Sequence, residues 1–426
     1  MFFDQGLSGL NAAAQSLNII GKNIANGSTT GYKTASIDFT NVMSNTLNTA
    51  NSGVSLQTGA GPQSSNIKQL FSQGTITTTN NPLDFAINGN GFFQMKDPAT
   101  GQLSYTRDGQ FQMNSAGGVI NSLGQQLMGY GATAGVVSTG AIVPINITAS
   151  QTMQPQVTST VLANVDLASK ATAITSTFDP TASTTYQYTA PTTVYDQQGS
   201  SHTLQLYFAK ATTPTSPAAN AGLDTWNVYS TSSTPVTSTG GTLLGQISFD
   251  ASGNLNGTTI AGTYSTTTNS FASVAIDSTG DTATIDLTGS TQQGVTSSTT
   301  SMTNNGYASG ILNSYTAGAD GTITGSYSNG KTQTLGQVAL AKFASPNSLA
   351  AQGTNSWIQS ATSGAPILGV PGAGGLGALQ SSALESSNED QTSDMVGLLA
   401  AQRAYQANAQ TIKAEDQMAQ TLVNLG

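Results

Sequence analysis

Two segments at opposite ends of this chain carry helical periodicity, and everything between them is β-type sequence. From Ser393 to Leu425 the chain runs mainly through Ala, Gln, Leu and Met, with one Gly and no Pro, a composition that favours helix. Met395, Leu398, Tyr405, Ala409, Ile412, Ala419, Leu422 and Leu425 recur on one stripe. Glu389, Asp390 and Asp394 lie near its first turn and Arg403 and Lys413 follow, the sign order a helix dipole favours. Ser387, Asn388 or Ser393 is placed to cap it. At the other end, Asp4 is placed to cap a helix running to Asn26, with Gly27 as its left-handed stop. Within it Phe3, Leu10, Leu17 and Ile24 share one heptad position, with Leu7 and Ala14 between them, which predicts a short coiled-coil seam.

Each helix has an apolar face with nothing in its own half of the chain to cover it, so each is the other's partner within the chain. A lone pair of such helices is marginal, because ordering both backbones costs more than one seam returns. Two outcomes follow: a two-helix coiled coil within a monomer, or ends that order when neighbouring subunits supply further surface. Head-to-tail contacts that do not close then give an open helical filament.

The middle of the chain is low in charge. Charged residues make up 7% of the sequence and apolar residues 37%, against about 25% charged in an ordinary soluble protein. That balance points to short strands joined by turns rather than to disorder. The net charge is −9 and no Lys or Arg lies between Lys210 and Lys331, which argues against nucleic-acid binding. There is no Cys, which excludes disulfides and thiolate chemistry and suits a chain exported unfolded. The start, MFFDQGLSGLNAAAQ, lacks the pattern of a cleavable signal peptide, and no apolar run suggests membrane insertion. Export by another route is the expectation.

Residues 27–74 read as an extended, weakly structured connector containing a strand or two. From Thr75, strands follow one another: Pro82 to Ile87 and Phe92 to Met95 read as a hairpin around Asn88-Gly89-Asn90-Gly91, with further strands at Leu103 to Arg107, Gln110 to Met113, Val119-Ile120 and Gln126 to Tyr130. Residues 150–303 form a Thr/Ser-rich block whose strands include Thr192 to Tyr195, His202 to Phe208, Thr225 to Tyr229, Gly245 to Phe249 and Thr282 to Leu287. Their length and spacing suggest a β-sandwich or barrel. Strands at Gly321 to Tyr327 and Thr334 to Phe343 follow, and a Gly-rich stretch, Gly369 to Gly377, leads to the C-terminal helix. The expected fold is mainly β with terminal α-helices: nested β-sandwich or barrel domains inserted between N- and C-terminal coiled-coil helices. The expected domains are terminal helices 1–26 and 388–426, connectors 27–74 and 369–387, an inner β domain 75–149 and 304–368, and an inserted outer β domain 150–303.

Candidate chemistry is sparse. His202 is the only histidine, and no Ser, Asp or Cys pattern around it resembles a nucleophile site. Asn88-Gly89-Asn90-Gly91 precedes no helix and so is a turn rather than a phosphate loop. Asp277, Asp281 and Asp286 match no calcium-loop spacing. Phe85, Phe92, Phe93 and Tyr105 fall at strand spacing and read as β core. No catalytic, cofactor or metal site is expected. A secreted adhesin or polysaccharide-acting enzyme is the alternative from another class, but it requires a carboxylate pair in a cleft and leaves the terminal helices unexplained.

The N-terminal GLSGLNAAAQSLNIIGKNIANGSTTGYK and the C-terminal LLAAQRAYQANAQTIKAEDQMAQTLVNL resemble the bacterial flagellar rod and hook axial family. NNPLDFAINGNGFFQ with YTRDGQFQMNSAGGVINSLGQQLMGY is similar to its hook and distal rod members. TTVYDQQGSSHTLQLYF, DTWNVY, YSNGKTQTLGQVALAKF and APILGVPGAGGLGALQSSALESSNED, together with the long insertion, resemble the hook members and disfavour the shorter distal rod proteins. The resemblance implies a self-assembling extracellular subunit of a curved helical tube, which acts as a universal joint carrying motor torque from rod to filament and encloses the export channel. It implies a homopolymer with further partners: the distal rod protein, the hook-filament junction protein, the hook cap and the flagellar type III export apparatus. The residues it marks for self-assembly are Phe3, Leu7, Leu10, Ala14, Leu17, Ile24, Asn26, Met395, Leu398, Gln402, Arg403, Tyr405, Ala409, Ile412 and Leu422, with Gly31, Tyr32 and Lys33 in the connector.

Overall fold

The computed structural model describes residues 2–43, 59–147, 152–212, 223–231, 241–256, 264–265, 270–276 and 280–425. The side chains of Phe3 and Leu422, and the whole of Asp277, fall outside the description. The chain divides into two compact units: residues 1–151, 313–326 and 332–426 form one, and residues 152–312 with 327–331 form the other.

The second of these, named the outer unit only for its place as the insertion in the chain and the first correspondingly the inner unit, is a β-sandwich. One sheet carries Thr160–Ala168 at its heart, paired in parallel with Thr282–Asp286 and Thr291–Gln293 and antiparallel with Ser298–Asn304. The facing sheet runs Tyr188–Tyr195, Ser201–Lys210, Asp224–Thr231, Thr242–Phe249 in antiparallel order. Strand periodicity explains the core. Val161, Ala163, Val165 and Leu167 alternate inward from one strand and meet Leu204, Leu206, Phe208, Trp226, Val228 and Ile247 from the other sheet.

The inner unit holds a longer sheet whose path includes Thr332–Val338, Gln126–Thr133, Phe92–Lys96, Leu103–Thr106, Ser356–Ile358 and Ala350–Gly353. Phe92 and Phe93 pack on opposite faces of the same strand. Phe92 joins Tyr105, Phe343 and Trp357, while Phe93 meets Phe111 edge-on at 5.2 Å. The Asn88 to Gly91 turn does not close a hairpin. Phe85–Asn88 pairs with Ala378–Ser381, whereas Phe92–Lys96 pairs with Leu340–Lys342 and Leu103–Thr106. Gly89 at φ 118° and Gly91 at φ 133° let the backbone pass from one sheet to the next, which a hairpin turn does not do. The single strand expected at Thr334 to Phe343 is two, Thr332–Val338 and Leu340–Lys342.

Residues 27–74, expected as a weakly structured connector with a strand or two, carry two described strands, and residues 44–58 lie outside the description. Ala35–Met43 and Gly59–Gln69 form an antiparallel pair, and Ala383–Glu385 pairs with Ile76–Thr78. Helix α1 spans Phe2–Ala25, so Asp4 lies inside it rather than capping it. Gly27 does not supply the left-handed stop; that conformation falls at Gly31, φ 64°. Helix α2 spans Gln391–Leu425, and its cap is Asp390, whose Oδ1 accepts from the Thr392 and Ser393 amides. The cap is one turn element away from the Ser387, Asn388 and Ser393 expected, because Asn388 is engaged elsewhere.

Candidate assembly site at the helix roots

Helices α1 and α2 pack together through small residues. A Cβ placed on Gly6 would lie 2.9 Å from Ile412, and one on Gly9 2.9 Å from Asn408. Gly6 and Ala13 are buried, as are Ile19 and Asn23 toward the root of α1. The face α1 turns inward is therefore not the whole heptad seam. Leu10, Leu17, Ile24 and Asn26 are half-buried, but Leu7 is 44% exposed and Ala14 is exposed. The physical reason is distance: glycine and alanine let two backbones approach more closely than leucine does, so the small-residue face wins the contact. On α2 the sequence stripe splits in the same way. Leu398, Ala409 and Ile412 are half-buried, while Met395 and Tyr405 are exposed, as are the motif residues Gln402 and Arg403 beside the stripe.

Below the helices both chain ends meet in one buried polar node. Glu385, the last residue of a strand, is fully buried. Its Oε1 accepts from Lys33 Nζ at 2.6 Å and from the Gly74 amide at 2.9 Å, and its Oε2 accepts from Arg107 Nη1 at 3.1 Å. Lys33 also donates to the Ser72 carbonyl at 2.7 Å, and Arg107 Nη2 donates to the Gly89 carbonyl at 2.9 Å. Arg107 lies over the Phe92 ring, 5.3 Å from its centroid. Burial pushes the Lys33 ammonium below its ordinary range, with Glu385 opposing that and the nearby Arg107 adding to it. Burial likewise lowers Arg107, opposed by Glu385. Taking two cations and one anion out of water is tolerated only because nearly every donor here has an acceptor.

Three further contacts fix the roots. The Gly31 amide donates to the Glu385 carbonyl at 2.7 Å, and a Cβ on Gly31 would lie 2.5 Å from the Arg107 backbone, so only glycine fits. Asn388 Oδ1 accepts from the Thr34 amide at 2.8 Å while its Nδ2 donates to the Leu70 carbonyl and the Ser72 hydroxyl, each at 2.8 Å. Asn23 Oδ1 accepts from the Tyr32 hydroxyl at 3.1 Å and the Ala35 amide at 3.0 Å, tying α1 to the connector.

Gly31, Tyr32 and Lys33 thus come together with Arg107, Glu385 and Asn388, of which the family resemblance marks only the first three as a site. The signal for Arg107 and Glu385 was rarity. In a chain that is 7% charged, an Arg inside an apolar strand region and a Glu inside SALESS are conspicuous. Elsewhere, His202 Nε2 lies 2.9 Å from Asp196 Oδ2, which holds that carboxyl below its usual range. Asp281 accepts from the Gln197 amide and Asp286 from the Thr288 amide. Among the described residues no cluster of three or more His, Cys, Asp or Glu is arranged to hold a metal, and no helix is long and apolar enough to cross a membrane.

The sequence matches the family descriptions Flagella basal body rod protein over residues 3–33, Flagellar hook protein FlgE/F/G D1 domain over 86–166, Flagellar basal body protein FlaE D2 domain over 164–307, and Flagellar basal body rod FlgEFG protein C-terminal over 380–425. It is 38% identical over 432 residues to the flagellar hook protein FlgE of Escherichia coli (strain K12), with all of both chains covered. The chain belongs to the flagellar hook protein family. It is 37% identical over 431 residues to FlgE of Salmonella typhimurium, again with both chains fully covered. The crystal structure of Helicobacter pylori flagellar hook protein FlgE2 shares the fold at TM-score 0.53 and 15% identity, covering 73% of this chain and 100% of that one. As a hook-family chain it is a structural subunit of the flagellar hook. Seen along the family matches, the polar node joins three of them: Lys33 closes the first, Arg107 lies in the second and Glu385 in the last.

Proposed function

We propose that this hook subunit polymerises, through its paired terminal helices, into a curved extracellular tube that works as a universal joint between rod and filament and encloses the export channel. The observation that carries this is the apolar surface left on the helices after they have packed on each other. Leu7 is 44% exposed, Met395 53%, Val396 64%, Leu399 55% and Met418 60%. One pair of helices cannot cover both its faces, and identical neighbours supply the missing surface. The buried node supports the reading by making a stiff root: force on the helices reaches the inner β unit through ion pairs and backbone hydrogen bonds rather than through a loose linker. The role is mechanical and non-enzymatic. The distal rod protein, junction protein, hook cap and type III export apparatus are its partners in this scheme.

The test uses surface substitutions that leave the node intact. Leu7→Glu combined with Leu399→Glu is expected to leave the monomer folded by circular dichroism while abolishing growth into curved tubes seen by electron microscopy. Tubes of normal yield from that double variant would overturn the assignment of the helix faces to assembly.

A further inference from the structure

The node is unusual in how its charges are distributed along the chain. Lys33 and Arg107 both lie in the first part of the sequence. Their shared carboxylate, Glu385, follows 352 residues after Lys33 and 278 after Arg107. Among the described residues the ion pairs of Lys33 and Arg107 are both with Glu385, and all three side chains are 3% exposed or less. The same residue ties the backbone: it accepts from the Gly31 and Gly74 amides, and the next residue, Ser386, donates its amide to the Thr75 carbonyl at 2.8 Å.

A closed inner unit without Glu385 would bury an ammonium and a guanidinium with no counter-charge. Breaking a buried pair in this way is strongly destabilising, because it leaves uncompensated charge away from water. Among its described residues the outer unit shows no comparable long-range pairing of buried charges. It is almost one continuous stretch, 152–312, and its buried carboxylate Asp196 has its partner His202 six residues on.

We propose that the Glu385 node is a closure device. In a chain that becomes available from the N-terminus onward, the outer unit folds first. The inner unit and both helix roots stay open until the segment from Glu385 onward arrives, and they then order together. The device keeps the N-terminal helix from settling on an incomplete subunit. This inference stands on the node alone and is independent of the assembly reading above.

Refolding of the full-length chain at low concentration, followed by pulsed hydrogen exchange and mass spectrometry at pH 7, tests it. In the unsubstituted chain, Ser201–Lys210 and Asp224–Thr231 are expected to gain protection first. Phe92–Lys96, Gly31, Gly74 and the first turn of α2 should follow in one common phase. Glu385→Gln should lower the protection of Phe92–Lys96 about 100-fold or more and leave the outer strands unchanged. Combining Lys33→Met, Arg107→Met and Glu385→Leu should restore that protection and let Phe92–Lys96 close ahead of Gly74. Should the triple variant fail to fold, adding Lys33→Met to Glu385→Gln must raise protection above Glu385→Gln alone, because it removes one of the two unpaired cations. The proposal is overturned if Phe92–Lys96 closes before Gly74 in the unsubstituted chain. It is equally overturned if Glu385→Gln changes protection less than about threefold, or if Lys33→Met gives no recovery in that background.

Discussion

At the scale of single residues, the helix roots are decided by a few side chains whose neighbours lie far away in sequence. Gly31 combines φ 64° with a Cβ position 2.5 Å from the Arg107 backbone, so Gly31→Ala should destabilise the inner unit by about 1–3 kcal/mol, read as a lower denaturant midpoint. Glu389 gives a pH prediction. Burial first, and then the neighbouring Asp394 and Asp390 carboxylates, raise its carboxyl above the usual range, and Tyr32 faces Glu389 and Asp394. A carboxyl raised in the folded state binds its proton more tightly there than in the unfolded chain. The stability that Glu389 contributes is therefore fully present below the ordinary glutamate value of about 4.3 and is lost as pH rises from there through the raised value. Amide protection in the first turn of α2 should decline over that window, and Glu389→Gln should flatten the slope. None of this was legible from local sequence. Lys33 looked like a motif position, and nothing around it named Glu385 as its partner.

At the scale of elements, both terminal helices were legible to within a few residues because their periodicity is local. Which face each turns inward was not. The leucine heptads of α1 suggested one seam, but Gly6 and Gly9 allow closer approach to α2, and Leu7 is left outside. Gly9→Leu should therefore push the helices apart, lowering amide protection between Gln5 and Ile20 while Phe92–Lys96 keeps its own. The Asn88 to Gly91 turn shows the same limit. Its residues signalled a reversal, yet the strands on either side pair with Ala378–Ser381 and with Leu340–Lys342 rather than with each other. A turn signal is local, whereas strand pairing is settled by which edges remain open after the chain has come back.

At the scale of the whole molecule, two cores answer to separate reporters. Trp226 is fully buried in the outer unit and Trp357 is 2% exposed in the inner one, and they are the chain's two tryptophans. With Trp357→Phe as background, fluorescence reports the outer unit alone. There Leu206→Ala should cost about 2–5 kcal/mol, shifting the Trp226 transition. The same substitution in a Trp226→Phe background should leave the Trp357 transition in place. A common shift in both backgrounds would show the two units to be one cooperative block.

By itself the sequence determined that the ends are helical, that the middle is a run of short strands, and that the chain resembles flagellar axial proteins. Those properties reside in periodicity, composition and motif, each read within a few residues. Only the tertiary structure decided how the strands of the connector pair, that two glycines of α1 lie closest to α2 while Leu7 stays outside, and that one carboxylate near the end of the chain neutralises two cations near its start. Buried charge is costly wherever it lies in sequence, so its partner is chosen by proximity in space, and the seam carries no trace of Glu385 until the fold brings it to Lys33.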